Sequence, residues 1–259
     1  MSKKFELIEN SEIYIFGRTL RQIRAIKDFG AIKVGDLGGF LEFEKNLSHD
    51  NNAWVAERAM ILGNAKIYDN AYISERALIT DHAEIYGNAT VKGSAVVSDH
   101  ARIYDNAEIF GEATISGNAN IYENAVIATR VYGNAHIYGD VSLSIFPFQQ
   151  ICGHANISQR TDVVCFVDVG SHKGTLTICK ATSGLFISRG CFAGTEQEFL
   201  RAIKHTHENN TFAQEYRRLL HYAKAIINHD DSVDLSDINY NYISPLFPLV
   251  FPKQLWHSN

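Results

Sequence analysis

Ala65-Lys-Ile-Tyr-Asp-Asn70, Ala71-Tyr-Ile-Ser-Glu-Arg76 and Ala77-Leu-Ile-Thr-Asp-His82 are three successive hexads written to one formula: alanine, any residue, isoleucine, then three variable positions. The formula extends both ways from there. Alanine stands at every sixth position from Ala53 to Ala125, and Ile or Val follows two residues later from Val55 to Ile127, for thirteen hexads without an error. A period of six fits neither the 3.6-residue helical stripe nor a bundle heptad. It fits short strands joined by tight corners. The β-branched slot fills a narrow interior, and the alanine slot leaves room for the corner. The residues before each alanine are mostly Gly-Asn, Asp-Asn, Glu-Asn or Asp-His, types that tolerate the positive φ of a sharp turn.

A second period of eighteen lies over the first. Tyr68, Tyr86, Tyr104 and Tyr122 follow the isoleucine in every third hexad, so three hexads per coil predict one column of stacked rings. Lys66, Glu84, Arg102 and Asn120 fall on one prism face, and Met60, Leu78, Val96 and Thr114 on another. The Met60, Leu78 and Val96 stripe is apolar and outward. Such a stripe calls for a cover, from a neighbouring subunit or from the chain's own terminal region.

This pattern resembles the left-handed parallel β-helix of the hexapeptide-repeat superfamily. Its [LIV]-x-x-x-[STAV]-x rule is met throughout 53–127, and the handedness is taken from that resemblance. Enzymes of the superfamily are typically trimeric acyltransferases with a catalytic histidine and an acyl-carrier cofactor between prisms. Gly35-Asp-Leu-Gly-Gly-Phe40, Asn46-Leu-Ser48, Asn52-Ala-Trp-Val55 and Gly190-Cys-Phe-Ala-Gly-Thr195 further resemble signatures of phage- and prophage-borne hexapeptide-repeat proteins. That likeness implies a phage context and no particular activity.

Around the repeat the composition changes. Residues 1–50 predict a small β cap, with strands at 12–16 and 20–26 around Gly17-Arg18-Thr19 and a turn at Gly35–Phe40. The β-helix proper is expected over 51–160. Its rhythm slips after Ile127, where Val131 arrives two residues early, and breaks again over 145–150. Residues 161–229 read as an α+β module of three strands (163–169, 175–180, 185–188) and two helices, opened by the capping boxes Thr195/Glu198 and Thr211/Gln214. Residues 230–259 read as an extended tail, acidic at first and then apolar from Ile243 to Pro252. A strap over the β-helix is preferred there to a docking peptide. The fold class is thus mainly β, a single-stranded left-handed parallel β-helix with an N-terminal β cap and a C-terminal β-β-β-α-α module.

Composition narrows the functional classes. The 259 residues carry a net charge of −5, which disfavours nucleic acid, although Arg18, Arg21, Arg24, Lys27 and Lys33 cluster near the start. The opening residues lack an apolar signal core, and no stretch has the length of a membrane span, so a cytoplasmic protein is expected. Cys152, Cys165, Cys179 and Cys191 show no metal-site spacing and are read as reduced, mostly buried thiols.

His82 and His100, one coil apart, are the candidates for a general base acting on an acyl-CoA donor. Both fill the turn slot held elsewhere by Asn64, Asn70 and Asn88, so turn formation is the favoured role. His82, His100, His136, His154 and His172 fall on multiples of eighteen. The slip at 128–131 resets the phase, so no metal set and no cofactor are expected. His205 and His207, two apart on one helix, read as a solvated polar stretch. The Tyr68–Tyr122 column and the Met60 stripe are the candidate binding surfaces. The favoured function is non-catalytic: a scaffold, a dimer or trimer, that binds a protein partner such as a host defence factor. The alternative is the acyltransferase.

Overall fold

The computed structural model describes residues 3–144 and 150–235. The break read over Ile145–Gln150 (Gln150 excepted) and the tail beyond Leu235 lie outside the described residues.

Every hexad makes one two-residue strand, and strands three hexads apart pair in parallel: Lys66–Ile67 on Glu84–Ile85 on Arg102–Ile103, and likewise on the other two faces. The chain is therefore a parallel β-solenoid with three sheets, of nine, six and six strands among the described residues. The repeat-slot alanines (Ala53 to Ala125) and the Ile/Val residues two places after them (Val55 to Ile127) are buried to 1% exposure or less and form one continuous core. Corners turn at Gly, Asp or Glu with positive φ, among them Gly63, Asp81, Asp99 and Gly117 on one edge. The Asn or His that follows has ordinary φ. Turn geometry thus belongs to the residue before it, and the Asn and His side chains are left to build ladders.

The slip after Ile127 changes the length of the coil and keeps its phase. Arg130–Val131 pairs with Thr114–Ile115, sixteen residues back. His136–Ile137 pairs with Asn120–Ile121. The next coil lengthens, so Gln150–Ile151 pairs with Arg130–Val131. The expected reset of phase is corrected: the strand pairing returns to register across the slip, and the sheets run on.

The N-terminal end continues the longest sheet. Strands Phe5–Ile15 and Arg18–Ala25 form an antiparallel hairpin, and Leu37–Leu41 joins it to the first rung by pairing in parallel with Met60–Ile61. The segment expected as a turn at 35–40 is thus mostly strand. Gly38 and Gly39 permit this: a Cβ on Gly38 would sit 2.5 Å from the Val55 carbonyl oxygen, and one on Gly39 the same distance from that of Ala59. Phe5, Ile23, Ala25 and Trp54 close the core at this end.

The C-terminal end is closed differently. Ile157 makes the last rung, and four antiparallel strands follow: Val163–Val169, Gly174–Lys180, Leu185–Arg189 and Phe192–Thr195. The fourth strand was not expected; it is only four residues long and follows a two-residue turn. Helices α1 (Glu196–His207) and α2 (Thr211–Asn228) cover one face. Alternation gives the sheet two interiors. Val163, Cys165 and Cys179 belong to the solenoid core, whereas Val164, Phe166, Leu176 and Ile178 pack on the helices. Ala155 bridges to Ala181, and the Ser188 hydroxyl donates to the Gln150 carbonyl. The Thr195/Glu198 capping box is present. The second helix is capped instead by Asn210, whose side chain accepts from the Ala213 N–H.

Candidate functional site

His82 and His100 lie one above the other on a solenoid corner, ring centroids 4.9 Å apart and 23° from parallel. Both are exposed, and the partner of His82 is Asn64. Stacked rings aim their nitrogen lone pairs side by side, away from any shared point, so this pair is ill-suited to chelation. The same corner column runs through Asn118 and Asn134 to His154, because the short and long coils offset one another. His136 stands on a sheet face between Asn120 and Asn156. His172 lies in a turn of the C-terminal sheet. Among the described residues no three His, Cys, Asp or Glu side chains gather as a metal ion would require. His207 differs from its expected role as a solvated residue: its ring packs at 5.9 Å on Phe212 and 5.7 Å on Tyr216 between the helices.

The tyrosine column forms as the eighteen-residue spacing implies and is longer than expected. Tyr68, Tyr86, Tyr104, Tyr122 and Tyr138 stack with centroids 4.8–5.1 Å apart and planes within 4°. A planar ligand between two rings needs about 7 Å, twice the contact distance of carbon atoms, so intercalation is sterically closed. Burial pushes the Tyr68, Tyr86, Tyr104 and Tyr122 phenols up, Tyr104 to about 12, where its neighbours Tyr122 and Tyr86 add to the effect. Beside the rings runs an amide ladder, Asn52–Asn70–Asn88–Asn106–Asn124, closed by Asp140, with N···O distances of 2.7–3.1 Å. These columns tie coil to coil.

The apolar stripe lies where the sequence puts it. Met60, Leu78 and Val96 stand in register on the outer face of the nine-stranded sheet, half-buried, with Phe40 extending the row and Thr114 following it. On another face Lys66 and Arg102 both reach Glu84, at 3.2 and 3.7 Å. The basic cluster at the N-terminus is largely neutralised: Arg24 pairs with Glu6, Arg21 with Glu12, Arg18 with Glu42 and Lys33 with Asp28. Three of the four free cysteines are buried, and Cys191 is exposed.

One feature escaped the sequence reading. The hairpin turns at Phe16-Gly17, one residue earlier than expected, with φ of 51° and 73° between the paired Ile15 and Arg18. Two consecutive positive φ values mark the two-residue hairpin turn that normally takes Asn-Gly. A phenylalanine there costs about 1–2 kcal/mol. It stands 71% exposed beside Tyr14, which is 77% exposed. The signal in the sequence was Gly17 itself, which suits the second position of that turn.

A family model described as the YdcK β-solenoid repeat matches residues 83–99, just under one coil. No curated protein matches the chain. The repeat and the structure together define a β-solenoid consistent with the broader hexapeptide-repeat superfamily, followed by C-terminal helices. No helix among the described residues is long and apolar enough to cross a membrane.

Proposed function

We propose that this chain is a non-catalytic scaffold that binds a protein partner through the tip of its N-terminal hairpin. The reading includes a left-handed, single-stranded wind, a phage accessory role in the cytoplasm and a host factor as the target. The observation that carries it is the Tyr14–Phe16 tip. Two aromatic side chains are held in water at a conformational cost, on a stem whose arginines are already paired. Strained backbone persists where function maintains it, and aromatic anchors dominate protein interfaces. The stacked, exposed His82 and His100 support the non-catalytic reading over an acyl-CoA-dependent one, because each lacks a carboxylate to orient it as a base.

Affinity capture from host lysate tests the proposal, with the wild-type chain and the double variant Tyr14→Ser, Phe16→Asn as parallel baits. A host protein retained by the wild type and lost from the variant supports it. Equal retention by both moves the interface elsewhere. Saturable acyl-CoA binding that His100→Ala removes would replace the scaffold with the transferase.

A further inference from the structure

We propose that the partner is held by strand addition: an uncharged, apolar, extended segment pairs with the free edge of residues 12–16 and lengthens the nine-stranded sheet by one strand. The inference rests on the hairpin tip as the binding site and names the chemistry of what binds there.

The edge is open. Strand Phe5–Ile15 stands last in the nine-stranded sheet, with Arg18–Ala25 its one neighbour among the described residues. The two-residue turn closes on Ile15 and Arg18 as a hydrogen-bonded pair, and Ile13 with Leu20 makes the next such pair along the antiparallel ladder. Glu12 and Tyr14 alternate with them, so their N–H and C=O groups aim away from the hairpin. No other backbone group among the described residues reaches those four groups. Sheet edges are normally blunted by charge, proline or a bulge. Here the bulge lies further back. Residues 8–11 face Gln22 between the Leu7–Ile23 and Glu12–Arg21 pairs, and Asn10 turns with a φ of 63°. The regular edge therefore begins at Glu12 and runs unblocked to the tip.

The composition of that edge selects its occupant. Ile13, Tyr14, Ile15 and Phe16 are four apolar residues in succession. Tyr14 lies on one face of the sheet, and Ile13 and Ile15 lie half-buried on the other. The nearby charges are already paired, Glu12 with Arg21 at 3.1 Å and Arg18 with Glu42 at 2.8 Å. A charged segment finds no free counter-ion here, whereas an apolar one packs alternate side chains on both faces.

Area separates a segment from a second copy of the chain. Five residues give about 17 Å of edge, on the order of 200 Å² of surface, against the roughly 800 Å² that each partner contributes to a stable protein interface. A short extended segment needs less, because main-chain hydrogen bonds hold it and the adjoining aromatics select it.

Proline separates main-chain pairing from aromatic contact. Glu12→Pro removes one free-edge N–H and no bond to Arg18–Ala25, and edge strands accept proline at such a position. Glu12→Gln controls for the charge. Short random peptides are selected on the full wild-type chain, and the selected peptides are titrated against both variants. They are expected to be apolar and uncharged, to bind Glu12→Gln as they bind the wild type, and to bind Glu12→Pro about tenfold or more weakly, the worth of one hydrogen bond. They are also expected to protect the Glu12 and Tyr14 amides of the wild-type chain from hydrogen exchange, a readout that does not depend on the folding of the proline variant. Equal affinity for a folded Glu12→Pro, no amide protection, or no selectable peptide overturns strand addition. Where Tyr14→Ser, Phe16→Asn still removes binding in those cases, the tip stands as a binding site without it. Binding that survives the double variant overturns the tip and strand addition together. Glu12 and Tyr14 amides protected in the chain alone, to a degree that grows with its concentration, overturn the proposal and assign the edge to a second copy.

Discussion

The two ends of the solenoid solve the same problem in different ways. At the N-terminal end, the hairpin Phe5–Ile15 and Arg18–Ala25 extends a solenoid sheet, and its inward residues join the solenoid core. At the C-terminal end, a separate sheet lies against the last rung, lends three side chains to the solenoid core and keeps a second core of its own beneath α1 and α2. Repeat arrays gain stability from neighbour contacts. A cap built into the array therefore shares its cooperativity, while a cap with its own core can open alone. The Tyr14–Phe16 tip sits on the shared end, held by the whole rod.

The largest expected contrast comes from core truncations. Phe166→Ala, in the second core, is expected to cost about 3–5 kcal/mol and to melt the C-terminal module while the solenoid keeps its β-sheet circular dichroism. Ile23→Ala, at the other end, is expected to cost about 2–5 kcal/mol and to lower the transition of the solenoid as a unit. Calorimetry and circular dichroism of the two variants check this.

Buried charges give a smaller contrast, in two separate pH windows: both contributions rise with pH, one in the alkaline range and one in the acid range. Burial, with the Lys27 charge nearby, pulls the Lys4 ammonium down to about 8, although its Nζ donates to the Asp50 and Asn51 carbonyls. The folded state releases this proton before the unfolded state does, so N-terminal stability rises as pH climbs from about 8 toward the ordinary lysine value. The gain is on the order of 2 kcal/mol, and Lys4→Met removes it. At the other end burial pushes the Asp162 carboxyl up. The Ser158 and Gln159 N–H groups, the Ser158 hydroxyl and the Lys180 charge outweigh that and hold it below the usual carboxylate range. Its contribution is present above that range and is lost as pH falls through it; Asp162→Asn flattens the acid limb. Denaturant melts across pH read both. Above pH 10 the raised phenols of Tyr68, Tyr86, Tyr104 and Tyr122 oppose the Lys4 gain, because the unfolded chain ionises first.

The smallest effect has an unusual sign. Phe16→Asn places the preferred residue in the hairpin turn and is expected to raise stability by about 1 kcal/mol while abolishing partner capture. A variant that is less stable and still captures the partner would remove strain from the argument.

The repeat was legible because each coil restates the same local rule. Thirteen hexads fix the alternation of alanine and isoleucine, and the eighteen-residue tyrosine spacing fixes three hexads to a coil. The slip at Val131 misled because residue counting cannot tell a shortened corner from a lost phase, whereas hydrogen bonding to the previous coil can. The Gly38-Gly39 strand was hidden because glycine usually marks turns, and here it marks close approach to the Val55 and Ala59 carbonyls. The hairpin tip was legible only as a turn near Gly17. Neither Tyr14 nor Phe16 differs by type from the core aromatics, and only the turn register decides that they face water.

Hydrogen exchange under increasing denaturant probes the difference between the two ends most directly. Amides from Phe5 to Ile157 should lose protection together, and those in the second core, such as Phe166, Ile178 and Tyr216, in a separate step of their own. A single step uniting both sets would contradict the independent C-terminal core, and early loss at Phe5–Ala25 alone would contradict the continuity of the hairpin with the rod.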